Sequence, residues 1–317
     1  MAEFVLETWD GRSVLLPTPL AWQLDYGLGS PCDSYWVKLL WQAGDEDSLA
    51  AGTRMTVTEG GETVFTGVVD ECACSWKEDG CTAEITGRGM QALLLDNQAE
   101  AEDYSAATLA EILRRYVTCW GIRLARPVSL PAVYGFSVAS GSSCWKVLYQ
   151  FARYHGGATP RFDRLGRLEL HPFPDGEPLV LDREAPVTAL TLRERRYGVL
   201  SRVTVKDVSG WVRETVADTD FEAKGGRARR VLLVPRNTGF QARRYDARFQ
   251  LARSRAKALQ IEATVALPFA ARPGELVRLD RPGWSRNGIY RVQESRVTLG
   301  QNGVETRLVL GVTEAVL

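Results

Sequence analysis

Cys72, Cys74 and Cys81 stand at C-x-C-x6-C spacing, a cluster that could ligate zinc. A zinc site needs further nitrogen or sulfur ligands, and no fourth follows at zinc-site spacing. The surrounding pattern gives these cysteines another role. Val68 to Trp76 alternates like a strand, Lys77-Glu78-Asp79-Gly80 reads as a turn, and Cys81 to Ile85 reads as the returning strand. The three thiols are then small, semi-buried strand residues. With Cys32, Cys119 and Cys144 they make six cysteines, read as free thiols. The two histidines are a thin supply for acid–base chemistry. His155, in Tyr154-His155-Gly156-Gly157, suits a helix C-terminus, where a cation meets the negative end of the dipole. His171 alternates in the strand Arg167-Leu168-Glu169-Leu170-His171. No catalytic, cofactor-binding or metal-binding residue is predicted, and no cofactor.

The remaining motifs support that reading. The chain has no G-x-x-x-x-G-K-[ST] loop, no strand–GxGxxG–helix unit, no H-E-x-x-H and no G-x-S-x-G elbow. Gly87-Arg88-Gly89 lacks the third glycine. Ser140-Gly141-Ser142-Ser143-Cys144 precedes a helix and could cradle an anion, but small polar residues there serve first as an N-cap. Asp70 and Glu71 are adjacent in a strand, so they point to opposite faces and make no ready acid–base pair. Asp45-Glu46-Asp47 sits in a turn, solvated. The basic runs Arg193-Glu194-Arg195-Arg196, Arg227-Ala228-Arg229-Arg230 and Arg243-Arg244 lack interleaved aromatic platforms. They could contact phosphates, and salt bridges to partners or between subunits explain them as well; no sequence-specific nucleic acid binding is expected.

These residues belong to a chain of 317 residues, 45% hydrophobic and 25% charged, a globular composition long enough for two or three domains. No window reaches the ~18 apolar residues of a bilayer-spanning helix. The N-terminus MAEFVLETWDG lacks the basic and apolar regions of a secretory signal. Synthesis in the cytoplasm and no membrane insertion are expected. The net charge is zero but polarised: residues 1–104 carry 19 acidic and 5 basic side chains, a balance of −14, and the rest carries +14. Such asymmetry suggests an interaction surface or an oriented assembly, or two charged halves that face each other or solvent.

The elements read as β at both ends and mixed in the middle. Residues 1–88 predict a small β-barrel or sandwich. Phe4–Leu6 and Val14–Leu16 flank an Asp10-Gly11 turn; Trp22–Tyr26 follows; Tyr35, Val37, Leu39 and Trp41 share one face; Arg54–Thr58 and Thr63–Val69 flank Glu59-Gly60-Gly61-Glu62. Residues 89–180 predict an α+β unit. It has a short helix from Met90, a helix after Thr108 with a 109/112/113/116/117 stripe, and a helix Trp145–Tyr154 capped by Ser142 or Ser143. An Arg161-Phe162/Leu168–Leu170 hairpin completes it. Residues 181–317 return to β. Their strands are Val187–Arg193 and Leu200–Lys206, joined by Arg195–Gly198, then Trp211–Ala217 and Arg229–Val234. A helix Phe249–Ile261 and closing strands Glu262–Leu267, Leu276–Leu279, Gly288–Ser295 and Glu305–Val312 follow, with turns at Pro273-Gly274-Glu275 and Gly300–Gly303.

Phe65-Thr66-Gly67-Val68-Val69-Asp70-Glu71, Ile85-Thr86-Gly87-Arg88-Gly89-Met90 and Leu93-Leu94-Leu95-Asp96-Asn97-Gln98-Ala99-Glu100 resemble the tail hub proteins of contractile phages. This is the late control gene D superfamily, with hubs of the Mu and defective-prophage types. The later order fits as well: Ala107-Thr108, Phe136-Ser137-Val138 before Gly141, the Trp145 helix, Pro160-Arg161-Phe162 and Arg196-Tyr197-Gly198-Val199-Leu200-Ser201. The resemblance runs from about Gly29 to beyond Ser201 and is weaker after that.

The resemblance implies two tube-like β-barrels flanking an α+β insertion. It also implies a homotrimer whose six barrels form a pseudo-hexameric ring joining the tail tube to the trimeric spike. Its implied partners are the tail spike protein, the tail tube or tube-initiator protein and baseplate wedge proteins, in the baseplate of a virion or tail-like particle. The chain ends at Leu317 without the lysozyme domain that some hubs carry, so no peptidoglycan cleavage is expected. If the acidic first block lines the channel, it would repel DNA or cargo. Two other classes stay open: a tail-associated peptidoglycan hydrolase and a β-rich carbohydrate-binding module using some of the nine tryptophans. Trp9, Trp22, Trp36 and Trp41 fall in strand patterns, which favours core or interface packing.

Overall fold

Period-two apolar patterns build the first seven strands of this computed structural model. It describes residues 2–28, 32–42, 44–78, 80–153, 159–207, 209–234, 240–256, 258–301 and 303–313. The His155 cap, Gly29-Ser30-Pro31, Asn302 and the side chains of Arg243 and Arg244 lie outside the described residues. Strands β1 (Ala2–Thr8), β2 (Ser13–Leu15), β3 (Ala21–Gly27) and β4 (Ser34–Leu40) are followed by helix α1 (Glu46–Ala50), then β5 (Gly52–Glu59), β6 (Glu62–Lys77) and β7 (Gly80–Gly89). One face of these strands is apolar: Phe4, Leu6, Leu24, Val37, Leu39, Met55, Val57, Ala83 and Ile85 are buried in one core. Asp45-Glu46-Asp47, expected in a turn, opens α1, whose Leu49 reaches that core.

Two glycines of the hub-like motifs hold β6 and β7 together. A Cβ on Gly87 would lie 2.0 Å from the Val68 carbonyl oxygen, and one on Gly67 would lie 2.2 Å from that of Arg88. Only glycine permits this backbone approach. A bulge between Val69 and Glu71 then leaves Asp70 outside the ladder.

The middle of the chain holds α2 (Ala92–Asp96), β8 (Glu102–Ala107), α3 (Leu109–Tyr116), β9 (Val133–Val138), α4 (Cys144–Arg153) and the hairpin β10 (Arg161–Phe162)/β11 (Leu168–Glu169). Thr108 and Glu111 form a reciprocal capping box at α3. The stripe read from the sequence is buried: Leu109, Ile112, Leu113, Tyr116 and Val117 pack with Val147, Leu148 and Phe151 of α4. The β8–β9 pair is an addition to the sequence reading. Glu102-Asp103 and Gly135 mask its alternation.

The last part contains β12 (Leu179–Leu181), β13 (Val187–Glu194), β14 (Arg202–Asp207), β15 (Val212–Ala217), α5 (Thr219–Ala223), β16 (Arg229–Val234) and α6 (Phe240–Ala256). It closes with β17 (Leu259–Val265), β18 (Leu276–Leu279), β19 (Gly288–Gly300) and β20 (Gly303–Gly311). Two expectations need correction. The helix expected over Phe249–Ile261 ends at Ala256, and Leu259–Val265 is a strand. Ile261, Ala263 and Val265 alternate inward with period two and join a sheet core, which overrides the helical stripe drawn through Leu259. Val187–Arg193 and Leu200–Lys206 are strands, but they belong to different sheets. β13 pairs with β17, whereas β14 lies between β15 and β16 in a three-stranded sheet covered by α6.

The thirteen residues of β19 join the two β-rich ends. Gly288–Arg291 pair with β18, Glu294–Leu299 pair with β3, and β20 runs along the other edge. The result is one thirteen-stranded sheet with path β13-β17-β20-β19-β3-β4-β7-β6-β5-β1-β2, and β18 and β12 branching from β19. Val297 of β19 is buried with Trp22 and Leu24 of β3, so the first core is completed by the end of the chain. The fold is mainly β with an α+β unit between its β-rich ends. Among the described residues the sheet path is open, and no pairing closes either half into a cylinder.

Candidate functional site

A cavity of about 740 Å3 opens where the first β-rich part, the α+β unit and the last β-rich part meet. The β3 end contributes Tyr26, whose hydroxyl donates to the Val64 carbonyl at 2.9 Å; burial raises its pKa. Asp33 accepts from the Gly27 N–H at 3.1 Å, and burial pushes its carboxyl up to about 6. The α+β unit contributes an aromatic row. Phe162 and Trp145 have ring centroids 6.3 Å apart, Trp145 and Tyr149 6.4 Å, and Tyr149 meets Phe249 of α6 at 6.2 Å. Burial raises the Tyr149 pKa, opposed by the Arg253 and Arg153 charges. Arg161 stacks 3.9 Å over Phe173 and donates to the His171 carbonyl. Burial lowers its pKa to about 10. The lining brings no histidine or cysteine into the cleft among the described residues. This junction, aromatic along one side and lined by both cations and the carboxylates Asp33, Asp163 and Glu275, brings three parts of the chain together.

Elsewhere the polar residues brace the fold. Arg88 binds Asp70 in a bidentate pair at 2.7 and 2.9 Å and reaches Asp96 at 2.7 Å, tying β6 and β7 to α2. Its guanidinium lowers the Asp96 pKa. Asp70 is therefore a structural partner; the bulge at Asp70 interrupts the strict alternation expected there, and Asp70 and Glu71 are both exposed. His171 shares Glu169 with Arg126, at 2.7 Å each. Burial raises the Glu169 pKa, but the His171 N–H, Arg126 and the His171 ring outweigh it and bring it to about 2. Ser143 Oγ accepts from the Lys146 N–H at 3.2 Å, so the serine-rich run caps α4. Arg193 pairs with Glu262 at 2.6 Å, while Arg227 donates to the Glu222 and Gly226 carbonyls. Trp22 is buried and stacks on Phe269 at 6.0 Å; Trp9 is exposed.

Cys72 and Cys74 lie on one face of β6, and Cys81 lies across from Trp76. Among the described residues no group of three or more His, Cys, Asp or Glu side chains could hold a metal ion. No described helix is long and apolar enough to cross a membrane. The cleft was not legible in the sequence, because its residues come from segments more than 200 positions apart, as Tyr26 and Arg272 show.

No known family profile matches the chain, and no curated protein sequence matches it. Solved structures do. The 43 kDa tail protein of prophage MuSo2 from Shewanella oneidensis superposes with a TM-score of 0.80 at 18% identity, covering 99% of this chain and 100% of that one. A tail protein from Neisseria meningitidis MC58 gives 0.79 at 17% identity, covering 99% and 97%. An E. coli component of the type VI secretion system, described as structurally similar to the T4 bacteriophage tail proteins gp27 and gp5, gives 0.61 at 13%, covering 94% and 74%. Over nearly its whole length, the chain has the fold of phage tail proteins.

Proposed function

We propose that the chain is the structural baseplate hub of a contractile tail or tail-like injection particle. Three copies form a ring in which each contributes its first and last β-rich parts (residues 1–88 and 181–317) as two tube-like units, with residues 89–180 as an insertion. The ring joins the tail tube, or its initiator, to a trimeric spike and meets baseplate wedge proteins at its rim. The role is mechanical, and the acidic first part faces the channel.

The observation that carries this reading is the superposition on two tail proteins over 99% of the chain. The continuous sheet supports it. Because β19 pairs with β3, force on one β-rich part passes to the other through backbone hydrogen bonds. The junction cleft supports it too, since its aromatic row braces the insertion against α6. Native mass spectrometry of the purified full chain tests the reading. The expected species has three times the 35.1 kDa chain mass, and a monomer or an even-numbered oligomer would overturn it.

A further inference from the structure

The β6–β7 hairpin outruns one of its neighbours. Pairing of β5 with β6 ends at Arg54–Val68, whereas the β6–β7 ladder continues to Lys77–Gly80. On its other side β7 stays covered, by β4, as far as Thr82. From Asp70 to Lys77, therefore, one edge of β6 has no strand partner among the described residues. This stretch carries no proline, and past the bulge at Asp70 its ladder with β7 is unbroken, so apart from Lys77 the usual protections of a free edge are few. Cys72, Cys74 and Trp76 stand opposite Ile85, Ala83 and Cys81. Ile85 and Ala83 are buried, but Trp76 is 73% exposed. The core-facing apolar row runs on beyond the core into solvent. Glu71 and Glu78 flank it, with Lys77 as its cation.

A second open edge has the opposite charge. Among the described residues, β16 has β14 on one side and no strand on the other. Its Leu232 packs toward α6, while Val231 and Leu233 point away and are 56% and 71% exposed. Val212 of β15 shares that outward face through the Lys206 register. Arg227, Arg229 and Arg230 are all exposed beside it. The two edges belong to different sheets and do not pair within one chain.

We propose that these edges are the two halves of one head-to-tail contact between copies of this chain. The segment Cys74–Glu78 of one copy adds antiparallel alongside Arg229–Leu233 of the next. With Trp76 opposite Val231, Cys74 stands opposite Leu233 and Glu78 faces Arg229. Strand addition gives backbone hydrogen bonds along the edge, and the exposed apolar rows meet instead of facing water. The −14/+14 division of the chain favours acidic-to-basic docking over acidic-to-acidic. A heterologous contact of this kind closes into a ring when its rotation permits. The proposal rests on the ring assembly above and names the surface that makes it.

The test uses native mass spectrometry on the full chain, on Trp76→Glu and on Leu233→Glu, with circular dichroism to verify folding. Both side chains are exposed, so the fold is expected to persist. Each variant loses one half of the contact and should run as a monomer, with affinity reduced at least about tenfold. Mixed in equal amounts, the variants should form a dimer of twice the chain mass, because the intact arm of one fits the intact β16 edge of the other and no further copy can close the ring. A wild-type trimer with either variant still trimeric overturns the docking alone and leaves the hub reading standing. A mixture that stays monomeric also overturns it. A wild type that is not trimeric overturns the hub reading itself, and this contact with it.

Discussion

Asp33 and Glu169 are both carboxylates, and the fold pushes them in opposite directions. Asp33 is raised from 3.8 to about 6 by burial, so its contribution to stability is present below pH 3.8 and is lost as pH rises through 6. Asp33→Asn keeps an acceptor for the Gly27 N–H and removes the buried charge. It should be more stable than wild type by ~2 kcal/mol above pH 7, with no difference below pH 4, in urea melts across pH. Glu169 is lowered from 4.5 to about 2, so its contribution is present above 4.5 and is lost as pH falls toward 2. Glu169→Gln should cost ~2 kcal/mol at pH 7, and the deficit should close in acid. Neither shift was legible in the sequence. Glu169 could be placed on a strand, but Arg126 lies 43 positions away and only the fold brings it to 2.7 Å. The residues that were legible have local causes. The Thr108–Glu111 box and the Ser143 cap are satisfied within three residues.

Local pattern also decided which elements could be read. Strands β1, β3, β4, β5 and β7 alternate because one face is buried and the other is nearer solvent. The α3 and α4 stripes follow the helical period for the same reason. What the pattern could not give was partnership. β13 and β14 look like a hairpin, and their separation into two sheets depends on β17 and β16, which come much later in the chain. The end of α6 was misplaced because Leu259 fits both periods, and the sheet core that selects one is formed by distant strands. The glycines of the hub-like motifs acquire a physical cause at this scale. Gly87→Ala should destabilise by at least about 2 kcal/mol, because its methyl meets the Val68 carbonyl and the Tyr35 ring. Thermal melts compare it with Gly176→Ala, where an added Cβ meets nothing within 4 Å.

For the whole molecule, the sequence offered a charge division and an ordered resemblance, and the structure adds the sheet that makes the β-rich ends one body. β19 carries part of both cores, so cutting the chain near residue 180 should leave neither part folded alone. Residues 1–180 lack the strand that pairs with β3 and the Val297 that fills its core. They should show lost cooperativity in chemical denaturation, while co-expression with residues 181–317 should restore a single transition. The cleft gains meaning at this scale as well: its aromatic row runs between α4 and α6 and locks the insertion to the last part of the chain. The measurement that tests the central claim most directly is electron microscopy of the purified chain. Class averages should show a threefold ring whose inner wall carries six similar β-rich lobes, two from each copy. A ring of any other symmetry, or three lobes in place of six, would contradict it.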